Sequence, residues 1–152
     1  MKLKFILAGL LVACVSVANA VELNKDALKS MQQEGHKLLE ESSAARAYKG
    51  AGGFCLDIAG EGMVVRSCNA KTKNQQWKLD GQARLVAQNG KCIDGARLKK
   101  CGSAQTQKWS HDGKKRLANG KKQCLQIQGE KPKAGAKVVV SACSGSTKQV
   151  WK

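Results

Sequence analysis

The stretch Cys68 to Leu85, CNAKTKNQQWKLDGQARL, recurs in outline further along the chain. After Trp77 comes KLDGQARL and after Trp109 comes SHDGKKRL, so Asp-Gly and Arg-Leu fall at the same distances from both tryptophans. All three tryptophans, Trp77, Trp109 and Trp151, stand two residues after a glutamine: Gln75, Gln107 and Gln149. Seven residues beyond Leu85 and Leu117 stand Cys92 and Cys124, and counting back seven from Cys55 lands on Tyr48. These cysteines open similar phrases, CLDI, CIDG and CLQI, and each is followed by a second cysteine, Cys68, Cys101 or Cys143, with the tryptophan eight or nine residues later. A phrase repeated three times in register is the mark of one structural unit used three times.

The units read as all-β. ARLVAQNGKCID is a short strand, an Asn-Gly turn and another strand, and KRLANGKKQCLQI repeats the pattern around Asn119-Gly120. KVVVSAC is a β-branched run suited to a buried strand. No such hairpin group can bury its apolar face alone. Three of them are expected to close on each other about a threefold axis, each lending one tryptophan to the shared core.

At 152 residues the chain suits one domain. Residues 1–20 have the form of a secretory leader: Lys2 and Lys4, an apolar run from Phe5 to Val17, and small residues ending at Ala20. The run is too short to span a bilayer. An alternative reading takes LVAC, ending at Cys14, as resembling a bacterial lipoprotein box with a lipid-bearing cysteine. The expected location is secreted or extracellular, with a periplasmic or lipid-anchored form under the alternative. Either way six cysteines remain, and in an exported protein an even set indicates disulfides, with fifteen pairings open. Neither metal nor cofactor is expected, because no Cys-x-x-Cys occurs and His36 and His111 stand apart from any cysteine pair.

Residues 21–45 precede the repeats. They read as a helical or disordered arm or a propeptide, with Asn24 as N-cap and Leu28, Met31, Gly35, Leu38 and Leu39 leaning to one face. That face makes the arm a candidate for a protein partner. Charge divides sharply: residues 21–50 carry five bases against five acids, whereas residues 51–152 carry twenty against six, a net of +14. So much positive charge favours anionic partners.

Gln-x-Trp three times over, with Cys-Leu-Asp and a second cysteine before it, resembles the ricin B-chain type β-trefoil lectins, from about Arg46 to Lys152. The resemblance implies twelve strands in three pseudo-symmetric four-stranded repeats, about 46–81, 82–113 and 114–152, with up to three shallow sugar pockets. The repeat register, which the resemblance matches, pairs Cys55 with Cys68, Cys92 with Cys101 and Cys124 with Cys143. It places the tryptophans in the core. In the family an aspartate after the first cysteine and an asparagine before the glutamine grip sugar hydroxyls, and an aromatic two residues before the second cysteine stacks on the ring.

Repeat 1 carries that polar set in Asp57, Asn74 and Gln75, with Arg66 at the stacking position. Repeat 2 keeps Asp94 and Gln107 but has Thr106 for the asparagine and Lys99 for the aromatic. Repeat 3 departs furthest, with Gln126, Lys148 and Ser141. The resulting candidate carbohydrate-binding residues are Asp57, Arg66, Asn74, Gln75, Asp94 and Gln107, although a glutamine kept in all three repeats also suits a structural role. Arg66 could grip a carboxylate or sulfate, which points to acidic glycans or anionic polysaccharide. Lys114, Lys115 and Arg116, with Lys121 and Lys122, form a second candidate surface. Catalysis has no motif to support it. The rival readings are a toxin-associated or adhesin subunit and a charge-driven binder of anionic polymers. Nucleic acid is the weaker case, because aromatics for base stacking are nearly absent outside the core.

Overall fold

A computed structural model describes residues 25–152. The leader, the Cys14 alternative and the Asn24 cap lie outside the described residues. The arm is helical over Lys25–Ser43 (α1), with Leu28 and Met31 exposed. No helix among the described residues is long and apolar enough to cross a membrane.

Ten strands follow among the described residues: β1 Phe54–Ala59, β2 Gly62–Ser67, β3 Trp77–Leu79, β4 Leu85–Ala87, β5 Cys92–Asp94, β6 Arg97–Lys99, β7 Trp109–His111, β8 Leu117–Asn119, β9 Gln123–Ile127 and β10 Val138–Ala142. They form a six-stranded sheet, β1-β2-β6-β5-β4-β3, and a four-stranded sheet, β10-β9-β8-β7. Twelve strands were expected. The two missing ones are the ends of the trefoil, which pair through isolated bridges, Arg46 with Trp77 and Arg116 with Val150, too short to count as strands.

Those bridges belong to a threefold set. Trp77 donates its backbone N–H to the Arg46 carbonyl at 2.9 Å, Trp109 to Ala83 at 2.6 Å and Trp151 to Lys115 at 2.7 Å. Each acceptor lies two residues before Tyr48, Leu85 or Leu117, so each repeat's last strand returns to its own first. Between repeats, β3 pairs with β4 and β7 with β8. The third seam is Lys49 with Lys152, whose N–H groups each donate to the other's carbonyl at 2.8 Å. The hairpins meet at the opposite end, where Gly62 faces Arg97 and Val64 faces Lys137.

The tryptophans fill the core, with Tyr48, Leu85 and Leu117 around them, all essentially buried. Each indole N–H donates to the carbonyl of the residue after the first cysteine: Leu56 at 3.0 Å, Ile93 at 2.9 Å and Leu125 at 3.1 Å. That bond lets a polar ring atom sit in an apolar interior without loss. The disulfides join Cys55–Cys68, Cys92–Cys101 and Cys124–Cys143, each within one repeat.

One turn differs from its sequence reading. Asn89-Gly90 forms a tight turn, with Gly90 at φ 76°. In repeat 3 the left-handed residue is Lys122, at φ 59°, not Gly120. Asn119 instead ends β8, and its Oδ1 accepts the N–H groups of Lys121 and Gln123 at 3.0 Å each. Gly120 is required for closeness: a Cβ there would stand 2.8 Å from the Gln105 carbonyl.

Candidate functional site

In each repeat a short 3-10 turn carries the glutamine inward: Lys73–Gln75, Gln105–Gln107 and Thr147–Gln149. Gln75 is buried, and its Oε1 accepts the Asn69 N–H at 2.8 Å while its Nε2 donates to the Ser67 carbonyl at 3.0 Å and to Asp57 Oδ2 at 2.8 Å. Gln107 and Gln149 repeat these contacts. Gly102 and Ser144 supply the N–H, Lys100 and Ala142 the carbonyl, and Asp94 and Gln126 the side-chain oxygen. The glutamine therefore ties the second-cysteine segment to the pocket residue, and its own polar atoms are consumed inside the protein.

Around Asp57 lies a shallow cleft of about 440 Å³, lined by Arg66, Asn69, Thr72, Asn74 and Gln75 together with Ala134 and Gly135. The Asp57 side chain is only 2% exposed, and both its oxygens are engaged: Oδ2 by Gln75 and Oδ1 by Arg66 Nη1 at 2.9 Å. Arg66 is half-exposed, and its Nη2 and Nε make no hydrogen bond among the described residues. Asn74 is exposed, and its carboxamide is likewise unpaired among the described residues. The structure thus brings together Asp57, Arg66, Asn74 and Gln75, and leaves the polar atoms of two of them, Arg66 and Asn74, open to solvent.

Ala134 and Gly135 belong to repeat 3. The segment between β9 and β10 leans across β2, with Gly135 donating to the Val65 carbonyl at 2.7 Å and Val65 to Ala136 at 2.9 Å. Sequence reasoning missed this wall. Its signal was the separation of 19 between Cys124 and Cys143, against 13 and 9 in the other repeats.

The second repeat keeps a similar arrangement in looser form. Lys99 Nζ lies 3.4 Å from Asp94 Oδ2, with Gln107 at the same distance from that oxygen. A hydrogen bond from Thr106 above all, with help from Gln107 and Lys99 against partial burial, holds the Asp94 carboxyl below its ordinary range. Repeat 3 has no charge at these positions, since Ser141 donates to Gln126 Oε1 at 2.8 Å. Lys148 is turned away to the Gly129 carbonyl at 2.9 Å.

The basic cluster also needs revision. Lys114, Lys115, Lys121 and Lys122 are exposed, but Arg116 is mostly covered, paired with Asp112 at 2.7 Å and donating to the Ser144 carbonyl at 2.9 Å. It fastens the turn before β8 and is not available to a polymer. His111 Nε2 lies 2.7 Å from the Trp151 carbonyl, which can only accept, so it donates to the seam. No group of three potential metal ligands occurs among the described residues.

Comparison with known proteins agrees with this architecture. The family profile described as "Ricin-type beta-trefoil lectin domain" matches residues 43–151. The agglutinin of Abrus precatorius superposes with a TM-score of 0.66 at 14% identity, covering 74% of this chain and 47% of that one, so the chain spans about half the length of that protein. The C-half of the earthworm R-type lectin, solved in complex with GalNAc, gives 0.62 at 20% identity, covering 72% and 96% of the two chains. The β-trefoil lectin of the Vibrio vulnificus hemolysin/cytolysin, solved with N-acetyl-D-lactosamine bound, gives 0.56 at 22% identity, covering 72% and 93%. At these identities the likeness establishes the fold. Sequence comparison with curated proteins finds no match.

Proposed function

The chain belongs to the ricin-type β-trefoil lectin domain family, and we propose on that basis that it is an exported, non-enzymatic glycan-binding protein whose repeat 1 cleft selects acidic saccharides. The observation that carries the reading is the pairing of Arg66 with Asp57. A neutral sugar that grips a carboxylate through adjacent hydroxyls needs an exposed carboxylate edge, and Asp57 is only 2% exposed, with Arg66 bonded to one oxygen and Gln75 to the other. A sugar bearing a carboxylate or sulfate meets instead the outward Nη2 and Nε of Arg66, which accept such groups in bidentate fashion. Asn74 beside it offers both a donor and an acceptor to a ring hydroxyl. Gln75 acts from behind by holding Asp57, and Asp57 in turn orients the guanidinium. The equivalent Lys99 and Asp94 make repeat 2 a weaker copy, because an ammonium attracts an anion without the planar fork.

A glycan array read at low and at physiological salt tests this. Uronic-acid or sulfated glycans should bind at both salts, and Asn74→Ala should weaken them about threefold to tenfold through loss of its hydrogen bonds to a ring hydroxyl. Binding confined to neutral galactosides would contradict the acidic preference. A second reading, charge-driven capture of anionic polymers, draws on the four exposed lysines 114, 115, 121 and 122. Binding that disappears at physiological salt and ignores Asn74→Ala would favour it.

A further inference from the structure

The seam that closes the trefoil sets two lysines against each other. Lys49 and Lys152 exchange both backbone hydrogen bonds, at 2.8 Å each, and are therefore directly opposed residues of an antiparallel pair. Such residues send their side chains to one face, with Cα atoms about 5.5 Å apart, and like charges placed this way destabilise the pair. Both lysines are exposed. Among the described residues no carboxylate lies within ion-pair distance of either ammonium. At the two equivalent seams Lys78 faces Val86 and Ser110 faces Ala118, so the doubled charge belongs to this seam alone.

The pair opens onto a cleft of about 460 Å³ that Thr147, Val150 and the glycines 50, 52 and 53 complete. The glycine loop leaves that wall low: the Lys49 stem runs past Gly53, with Cε 3.6 Å from where a Cβ would stand. The Thr147 hydroxyl makes no hydrogen bond among the described residues. Lys49 and Lys152, neither in an ion pair among the described residues, line one hollow with Thr147 and its free hydroxyl, and ammonium and hydroxyl groups are the donors that a compact dianion requires. We infer that this cleft is an anion site, separate from the repeat 1 pocket, for a tetrahedral sulfate or phosphate group. The two negative charges offset the repulsion between Lys49 and Lys152, and oxygens pointing in different directions let both ammonium groups and Thr147 donate at once.

The test uses the full chain with its disulfides intact. Inorganic phosphate titrated at constant ionic strength should give saturable shifts of the Gly52, Gly53 and Thr147 backbone amide resonances. The variant carrying Lys49→Gln and Lys152→Gln should bind phosphate about tenfold more weakly or worse, given the strength of charge-assisted bonds. In chloride it should unfold no earlier than the parent, because the substitution removes a repulsion. Galactose bearing one sulfate ester, compared with free sulfate and plain galactose, separates the sources: tighter binding than free sulfate assigns a sulfated glycan, and equal binding assigns the free anion. The absence of a saturable phosphate shift in the parent protein would overturn the site, as would undiminished phosphate binding by the double variant.

Discussion

Gln75, Gln107 and Gln149 each lie buried with their carboxamides satisfied by protein partners, so they serve the fold in all three repeats, including repeat 3, where no pocket charge survives. Truncating Gln149 leaves the Ser144 N–H and the Ala142 carbonyl without that partner, while Gln126 Oε1 keeps the Ser141 hydroxyl. Gln149→Ala should therefore cost about 2–4 kcal/mol, at 1–3 kcal/mol for each buried group left unsatisfied and with some relief from water, as measured by denaturant unfolding. A neutral result would mean that water replaces the amide freely. The tryptophans and cysteines were legible from spacing alone, since any three-fold arrangement must place the same phrase in the same environment. Arg66 could be located in the same way, but its bond to Asp57 could not. Whether a cation at the stacking position turns toward a ligand or inward to the carboxylate depends on a distance that one-dimensional spacing does not contain.

At the scale of elements, the turns before β4 and β8 repeat one device. Asp80 Oδ1 accepts the N–H groups of Gln82 and Arg84 while Oδ2 pairs with the Arg84 guanidinium at 2.6 Å, and Asp112 does the same with Lys114 and Arg116. Burial works against ionised Asp80, but the bonds from Arg84 and Gln82 outweigh it, and the Arg116 backbone N–H leads the bonds that do the same for Asp112; both carboxyls are held below their ordinary value of 3.8. A carboxylate with a depressed folded pKa contributes stability that is present above its unfolded pKa and is lost as pH falls through the folded one. The melting temperature should thus fall as pH is lowered below about 4, and Asp80→Asn with Asp112→Asn should flatten that fall. An unchanged slope would show that other carboxylates control the acid limb. The repetition of Asp-Gly and Arg-Leu was visible in the sequence; the ion pair across the turn that explains it was not. Gly50 illustrates the same limit. A Cβ there would stand 2.9 Å from Trp151 Cζ3 and 3.0 Å from Ile127 Cδ1, while the equivalent positions in the other seams hold Ala87 and Asn119. Gly50→Ala should cost about 1–3 kcal/mol by overpacking the closing seam, and calorimetry showing no loss would mean that the ring can yield.

For the whole molecule, the +14 carried by residues 51–152 divides into charges with partners and charges without. Arg84 and Arg116 are fastened to turns and Arg66 to its pocket, whereas Lys114, Lys115, Lys121 and Lys122 stand in solvent. Replacing those four with glutamine should leave the fold intact and make binding to a sulfated polymer less salt-dependent, because fewer counterions are displaced. Short acidic saccharides that fill only the repeat 1 cleft should be little affected. Equal losses for polymer and short saccharide would place the lysines within the pocket's own field. The wall formed by Ala134 and Gly135 also belongs to this scale: a repeat 3 segment completes a repeat 1 cleft, and only the closed trefoil brings the two together.

Calorimetric titration of the parent and Arg66→Ala with one acidic saccharide and with its neutral counterpart tests the central claim most directly. The account predicts that Arg66→Ala loses about tenfold or more in affinity for the acidic saccharide, the size expected for a bidentate charge-assisted contact, while affinity for the neutral sugar holds or rises because Asp57 is uncovered. Equal affinity of parent and Arg66→Ala for the acidic saccharide would contradict it.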